Sequence, residues 1–365
     1  MRLLVQADGV PEDGSEQKPG AGDRCNMRIA VAGAGLIGRR HVEHVIAQAE
    51  LAAIVDPDPA TEVLARKCGA PWHRSLEGLL AQDRPDGMIL ATPNQLHVEH
   101  GLDCIAAEVP VLIEKPVAAD VVDGHRLVEA VERTGVPVLV GHHRRHNPLV
   151  AAARRAIAEG RLGTIVAVQA SCWFYKPDGY FDVAWRRQPG AGPVFINLIH
   201  DIDTLRFLCG EIETVQAMES AATRRHDVED SAAILIRFRS GAIATVTVSD
   251  TIVAPWSWEL TAAENPAYPA TGEPCYRIGG TQGSLSLPDL GLWIYEGERS
   301  WWEPIRREAI AATASDPLAL QVTHFLRVIR GDEAPLVSAR DGLETLRVVA
   351  AVKQSAGSGA LVRLD

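Results

Sequence analysis

Apolar and polar positions divide the chain into two halves with different periods. From residue 29 to 140, short apolar runs (29–32, 51–55, 87–91, 111–113 and 136–140) read as strands buried on both faces. Between them 40–48, 75–81, 96–107 and 120–134 read as helices, with Ser75 placed to cap its own. Such alternation predicts an α/β unit, a doubly wound parallel sheet with helices on both faces. Right-handed crossovers put the carboxyl ends of its strands on one side. From residue 149 the pattern changes. A helix over 149–159 stops at Gly160, and 164–171 then alternates apolar with polar. Further strands are predicted at 215–217, 231–239, 242–249 and 284–287, with Gly241 and Gly283 as turn signals. Alternation without intervening helices predicts a largely antiparallel open sheet in an α+β unit. Helices at 317–329 and 340–355, then Val362, end the chain, with Asp316-Pro317 as a helix entry and Gly331 as a stop. The expected domains are 27–148 and 149–365.

The first strand runs into Gly33-Ala34-Gly35-Leu36-Ile37-Gly38, a glycine-rich turn opening a helix. That context suits a dinucleotide: Gly33 permits the turn, Gly35 lets the backbone approach a pyrophosphate, and Gly38 allows close helix packing. The first domain is therefore read as a Rossmann domain. Asp56 ends the second strand, where a carboxylate can bind ribose hydroxyls and repel a 2′-phosphate. It favours NAD, while Arg39 and Arg40 keep NADP open; Asp56 capping the turn at Pro57 is the alternative. Thr92-Pro93-Asn94, Glu114-Lys115-Pro116 and Gly141-His142-His143 lie at strand ends that should converge on the same turn.

At 365 residues and 47% hydrophobic, the chain can bury two cores. A formal charge of −11 without basic clusters argues against nucleic acid. No apolar run approaches the ~18–20 residues of a membrane span. Residues 1–26 lack the apolar core of a signal peptide and read as a disordered leader or extension, with Met27 a candidate start. Six cysteines, at 25, 68, 104, 172, 209 and 275, form no C-x-x-C pair, which suits reduced thiols in a cytoplasmic protein without structural zinc.

Gly33-x-Gly35-x-x-Gly38, Thr92-Pro93-Asn94-x-x-His97 and Glu114-Lys115-Pro116 resemble, in order and spacing, the Gfo/Idh/MocA oxidoreductases. That family includes glucose–fructose oxidoreductase and inositol dehydrogenases, and the resemblance covers nearly the whole chain after Met27. It implies an NAD(P)-dependent dehydrogenase acting on CH–OH groups. Gly33, Gly35, Leu36, Ile37 and Gly38 would hold the cofactor with Asp56. Thr92, Pro93, Asn94 and His97 would line its nicotinamide half, with Glu114, Lys115 and Pro116 beside them. It also implies a cis bond before Pro116 and a catalytic Lys115. The lysine has a physical case of its own: a desolvated amine beside a cationic nicotinamide can accept a hydroxyl proton near neutral pH. The alternative is a surface lysine paired with Glu114.

In the second half, 195–208 reads as a helix with Asn197, His200, Asp201 and Thr204 on one stripe and Phe195, Ile199 and Ile202 roughly opposite. A polar stripe on an apolar helix is a site candidate, giving a catalytic His200 and substrate-binding Asn197 and Asp201; a solvated face is the plain alternative. The family usually has Gly-Gly-Gly here, followed by Asp-x-x-x-His. This chain keeps His200 but has Ile196 at the aspartate position and Ala191 for the middle glycine. His200 must then be oriented by Asn197, Asp201 or water, or act alone, and more weight falls on Lys115. An inositol substrate becomes doubtful. Three histidines at 142, 143 and 146 suggest a metal, but two are adjacent and no acidic ligand accompanies them, so none is expected. The family's substrate-contacting arginine maps onto Arg145. Seven of eight tryptophans fall in this half, and Trp173, Tyr175 and Trp185 suit stacking against a ring, or core packing.

The leading expectation is an NAD-dependent oxidoreductase of a sugar, inositol or other cyclic polyol, with Lys115 as proton acceptor. A cis-dihydrodiol dehydrogenase of aromatic degradation and a non-catalytic cofactor-sensing regulator are the alternatives. An open sheet also invites a homodimer or homotetramer.

Overall fold

The computed structural model describes residues 26–364, so the expected leader, apart from Asn26, lies outside the described residues. The first half alternates as its periodicity predicts. β1 (Arg28–Ala32), α1 (Leu36–Gln48), β2 (Glu50–Val55), α2 (Glu62–Cys68), β3 (Trp72–His73) and α3 (Leu76–Gln82) come first. β4 (Gly87–Leu90), α4 (His97–Ala106), β5 (Val111–Ile113), α5 (Val121–Thr134) and β6 (Val138–Val140) follow. The strands form one parallel sheet in the order β3-β2-β1-β4-β5-β6. Its order reverses between β1 and β4, the switch point where open α/β sheets bind ligands. Ser75 Oγ accepts from Gly78 N–H at 3.1 Å and Asp120 caps α5 in the same way, which sets both helix starts.

The second half holds α6 (Pro148–Ala158), β7 (Ile165–Trp173), α7 (Pro193–Ile196), α8 (Leu198–Cys209), β8 (Ile212–Ser220), β9 (Ser231–Phe238) and β10 (Ile243–Ser249). After them come α9 (Trp258–Thr261), β11 (Tyr276–Gly280), β12 (Gly283–Leu287), β13 (Gly291–Ile294) and β14 (Arg306–Ala309). α10 (Pro317–Arg330), α11 (Ala339–Ser358) and β15 (Val362–Arg363) complete it. Nine strands make one sheet, β14-β13-β12-β11-β7-β10-β9-β8-β15, mixed because β7 and β10 run parallel while the other pairs are antiparallel. Val168, Ala170 and Cys172 of β7 and Ile234, Ile236 and Phe238 of β9 pack in the core on the helical face. Val166, Leu235 and Ile243 stand exposed on the other.

The tail departs from the expected division. Val322 and Phe325 of α10 and Leu343 and Leu346 of α11 join the core of the first sheet, while Val348, Val349 and Val352 join that of the second. At 20 residues α11 is about 30 Å long, enough to bridge both layers. A capping box between Ser338 and Asp341 fixes its start. Among the described residues no helix is long and apolar enough to cross a membrane.

Candidate active site

The glycines of the turn do different things. Gly33 has φ +89°, and a Cβ there would stand 2.3 Å from the Ala91 carbonyl oxygen. A Cβ on Gly38 would meet Gly33 O at 1.8 Å, so α1 can lie over the turn only without one. Gly35 meets nothing within 4 Å and begins α1 with no side-chain cap. Leu36, beside it, is 89% exposed. An uncapped helix N-terminus next to open backbone and an exposed leucine fits a dinucleotide pyrophosphate. Asp56 does cap turns: it accepts from Ala34 N–H at 2.7 Å and Asp58 N–H at 2.9 Å. Its carboxylate is half-buried just past the end of β2, the strand end at which such folds take a ribose. Arg39 Nε donates to Ala34 O at 3.0 Å, and Arg40 pairs with Asp316 at 3.1 Å.

The next two strand ends are braced from inside. His97, expected at the cofactor, is buried, with Nδ1 2.7 Å from Pro116 O and Nε2 2.8 Å from Thr92 O. It is a strut between the two loops. Glu114, expected there too, is buried with Oε1 2.7 Å from His41 Nε2 of α1. Burial opposes its ionisation, but the hydrogen bond and charge of His41 outweigh that and hold the carboxyl at about 2. Pro116 is buried, and the Lys115–Pro116 bond is cis. Thr92, Pro93 and Asn94 remain half-buried or exposed at the end of β4. Lys115 does not pair with Glu114: its Nζ donates to Ile196 O at 3.4 Å. Loss of water lowers its pKa, with Arg144 and Lys176 adding to the effect and Glu114 and Glu259 opposing it.

The predicted 195–208 helix is broken at Asn197 (φ −103°, ψ −56°) into α7 and α8. The carbonyl that Lys115 meets lies at this break. His200 faces the cleft with Nδ1 unpartnered, and the Oδ1 of Asn197 is also buried without a partner. Burial first, then the charges of Lys115 and Arg144, push His200 well below its ordinary value, so it stands neutral. Asp201 points away from the cleft. Its Oδ1 accepts from Arg144 at 3.0 Å and from the Tyr276 hydroxyl. Thr204 is buried, donating to His200 O.

Arg145 is corrected too, because Asp203 takes its guanidinium in a buried two-point bond at 2.8 and 2.9 Å. Trp173 lies opposite Ser249 in the β7–β10 register, packs at a tilt of 56° against Trp256 and bonds Thr247. Tyr175 and Trp185 are exposed, and Tyr175 borders a separate hollow with Arg224. Only Trp258 among the tryptophans lines the cleft.

That cleft, of about 150 Å³, runs from Ile37 and Arg40 of α1 to His143, Arg144 and His200, and is walled by Trp258, Glu259, Glu264 and Tyr268. Several of these groups have no signal in the sequence. Arg144 bonds Glu259 at 2.8 Å as well as Asp201, and nothing in an Arg-Arg pair says which member faces a site. Glu259 and Glu264 sit in or beside a loop with no periodicity. Burial raises the pKa of Glu259 against the pull of Arg144. Lys176, just beyond β7, is buried with Nζ making no hydrogen bond and Asp250 3.7 Å away. Burial lowers its pKa, with Asp250 opposing.

Comparison with known proteins agrees with this arrangement. Residues 27–142 match the model of an oxidoreductase family with an NAD-binding Rossmann fold, and 150–286 match the GFO/IDH/MocA C-terminal domain. The chain is 30% identical over 250 residues to an inositol 2-dehydrogenase of Rubrobacter xylanophilus, covering 66% of this chain and 69% of that protein. It is 29% identical over 350 residues to inositol 2-dehydrogenase 2 of Saccharopolyspora erythraea, covering 93% and 96%. Among solved structures, the WlbA dehydrogenase of Bordetella pertussis, in complex with NADH and UDP-GlcNAcA, superposes with a TM-score of 0.75 at 27% identity, covering 93% and 99%. With its glycine turn, its Glu-Lys-Pro strand end and both domains matched in order, the chain belongs to the Gfo/Idh/MocA family of NAD-binding oxidoreductases.

Proposed function

We propose that the protein is an NAD-dependent dehydrogenase that moves hydride between the nicotinamide and a secondary hydroxyl of a sugar, inositol or related cyclic polyol, with Lys115 as the proton acceptor. Bound NAD supplies the hydride acceptor. The chain supplies the rest: as the carbinol C–H bond breaks, the hydroxyl proton passes to Lys115 Nζ. The observation that carries the reading is this amine, desolvated and held by Ile196 O at the break between α7 and α8. Asn197 Oδ1, His200 Nδ1, Glu259 Oε2 and Lys176 Nζ are buried without hydrogen-bond partners, a mixed set of acceptors and donors. Adjacent hydroxyls, each both donor and acceptor, match such a set, and leaving it unmatched would be costly. The tryptophans that favoured an aromatic-derived diol lie mostly away from the cleft. Asp56 supports NAD over NADP, and Arg40 is engaged by Asp316. The exposed face of the second sheet supports a homodimer or homotetramer.

The test is NAD⁺ reduction by the purified protein with a panel of inositols, aldoses and cis-dihydrodiols. A polyol or aldose should be oxidised, and Lys115→Ala should lower kcat by about 10²–10⁴-fold with NAD⁺ affinity unchanged. Near-normal turnover in that variant overturns the role of Lys115. Tight NAD⁺ binding with no alcohol oxidised would point to the regulator instead.

A further inference from the structure

Ile196 ends α7 where the family resemblance implies a carboxylate partner for His200 of α8, yet the cleft does contain a carboxylate bonded to an imidazole. Glu264 reaches it from the loop between α9 and β11. Its Oε1 lies 2.7 Å from His143 Nε2, and its Oε2 accepts from Trp258 Nε1 at 2.7 Å and Asn147 Nδ2 at 2.9 Å. Three bonds from two segments, the 143–147 turn and α9, fix the carboxylate. Burial opposes its charge, but His143, Arg144 and Trp258 hold it down at about 2. An ionised acceptor at Nε2 requires the N–H there, which leaves the lone pair on Nδ1. The His143 ring stands edge-on to His200 with centroids 5.1 Å apart, and both line the cleft. The His143 side chain is 19% exposed, so it can exchange protons with solvent.

We propose that His143 and Glu264 form a proton-relay dyad of this site. Glu264 is the positioning residue, and His143 draws the proton from the Lys115 ammonium and releases it to water. The inference rests on the dehydrogenase reading above. In the oxidation the substrate O–H proton goes first to Lys115 Nζ. An N–H bond of that ammonium then breaks, and one forms at His143 Nδ1. Lys115 returns to the free amine, the imidazolium is balanced by Glu264, and loss of its proton to solvent resets the pair. Reduction runs the same transfers backwards. The dyad thus supplies from a loop what the helix lacks.

The groups that bear on His143 come from every neighbouring element: Glu114 at the end of β5, Arg144 and His146 on its own turn, His200 on α8 and Glu264 on the loop. Arg40 before the cleft and Asp316 before α10 border the same space. The pH profile must therefore be read against a change at one of them.

His143→Gln and Glu264→Gln are compared with the wild type using the panel alcohol oxidised fastest, beginning with myo-inositol. Both variants should give a normal first turnover of NADH in stopped flow, because Lys115 is still present. Steady-state kcat should then fall about tenfold or more, with an increased solvent deuterium effect and a changed pH profile. NAD⁺ affinity and melting temperature report whether either variant is misfolded. Imidazole ¹⁵N spectra of the NAD⁺-bound protein should show His143 as the Nε2–H tautomer, lost in Glu264→Gln. Normal steady-state kcat in both folded variants, or an Nδ1–H tautomer in the wild type, overturns the dyad and leaves the dehydrogenase reading standing. A wild type that oxidises no panel alcohol overturns that reading, and the relay with it.

Discussion

Two adjacent arginines show how little a residue's type says about its duty. Arg144 and Arg145 are both buried, and both meet aspartates of α8, Asp201 and Asp203. Only Arg144 reaches the cleft wall. Arg145 closes on Asp203 and its guanidinium lies over the Phe207 ring, so its charge is consumed in holding the two halves together. Their neighbour His142 is buried with both ring nitrogens unpartnered, and burial pushes it down to about 4. Its native value lies below the ~6.5 of an unfolded chain, so its contribution to stability is complete above pH 6.5. That contribution is lost as pH falls towards 4, up to about 3 kcal/mol. Denaturant titrations between pH 7 and 4 should show this decline, and His142→Phe should flatten it. An unchanged slope would mean that other groups carry the acid sensitivity. The resemblance singles out His200 and Lys115 as candidates, because a motif fixes their identity. Lys176 and Glu264 escaped because their significance comes only from burial.

Elements were legible wherever their period was long enough to show. α5 starts one residue beyond Asp120, β5 matches its apolar run, and α10 ends at its glycine. β3 has two residues and β13 and β14 have four each, too few to declare a period. The stretch after Pro193 reads as continuous in the sequence because apolar spacing persists through Asn197. The break is a backbone event, and it presents a carbonyl to Lys115. The glycine turn offers a test at this scale. Gly38→Ala should destabilise the fold by about 1–3 kcal/mol or more, since the methyl would overlap Gly33 O. Gly35→Ala should leave the melting temperature unchanged, as nothing stands near, yet weaken NAD⁺ by a comparable 1–3 kcal/mol if pyrophosphate fills that space. Calorimetry of both variants, for melting and for NAD⁺ binding, separates the two roles.

For the whole molecule, the uneven dressing of the second sheet matters most. Helices cover one face, while on the other Leu235 (55% exposed) and Ile243 border a groove of about 540 Å³ with Ala167, Gln169 and Thr245. A broad apolar face of this kind is unusual on a monomer. A second copy of the chain covering it is the expected occupant. Leu235→Glu should lower the mass measured by light scattering towards that of one chain, with NAD⁺ affinity retained because the cleft lies on the opposite face of the sheet. A wild type that is already monomeric would overturn this.

By itself, the sequence determined the two sheets and the glycine turn, and it marked Lys115 and His200 as the candidates for the chemistry. Those depend on local period, backbone permission and residue type, all of which are written in neighbouring positions. Only the tertiary structure decided which polar groups are consumed by partners and which stay unpartnered in the cleft. That choice depends on segments far apart in the chain, 121 residues between His143 and Glu264 and 276 between Arg40 and Asp316. Burial and pairing belong to the folded chain, and they set aside Asp201 and Arg145 while bringing in Arg144, Lys176 and Glu264.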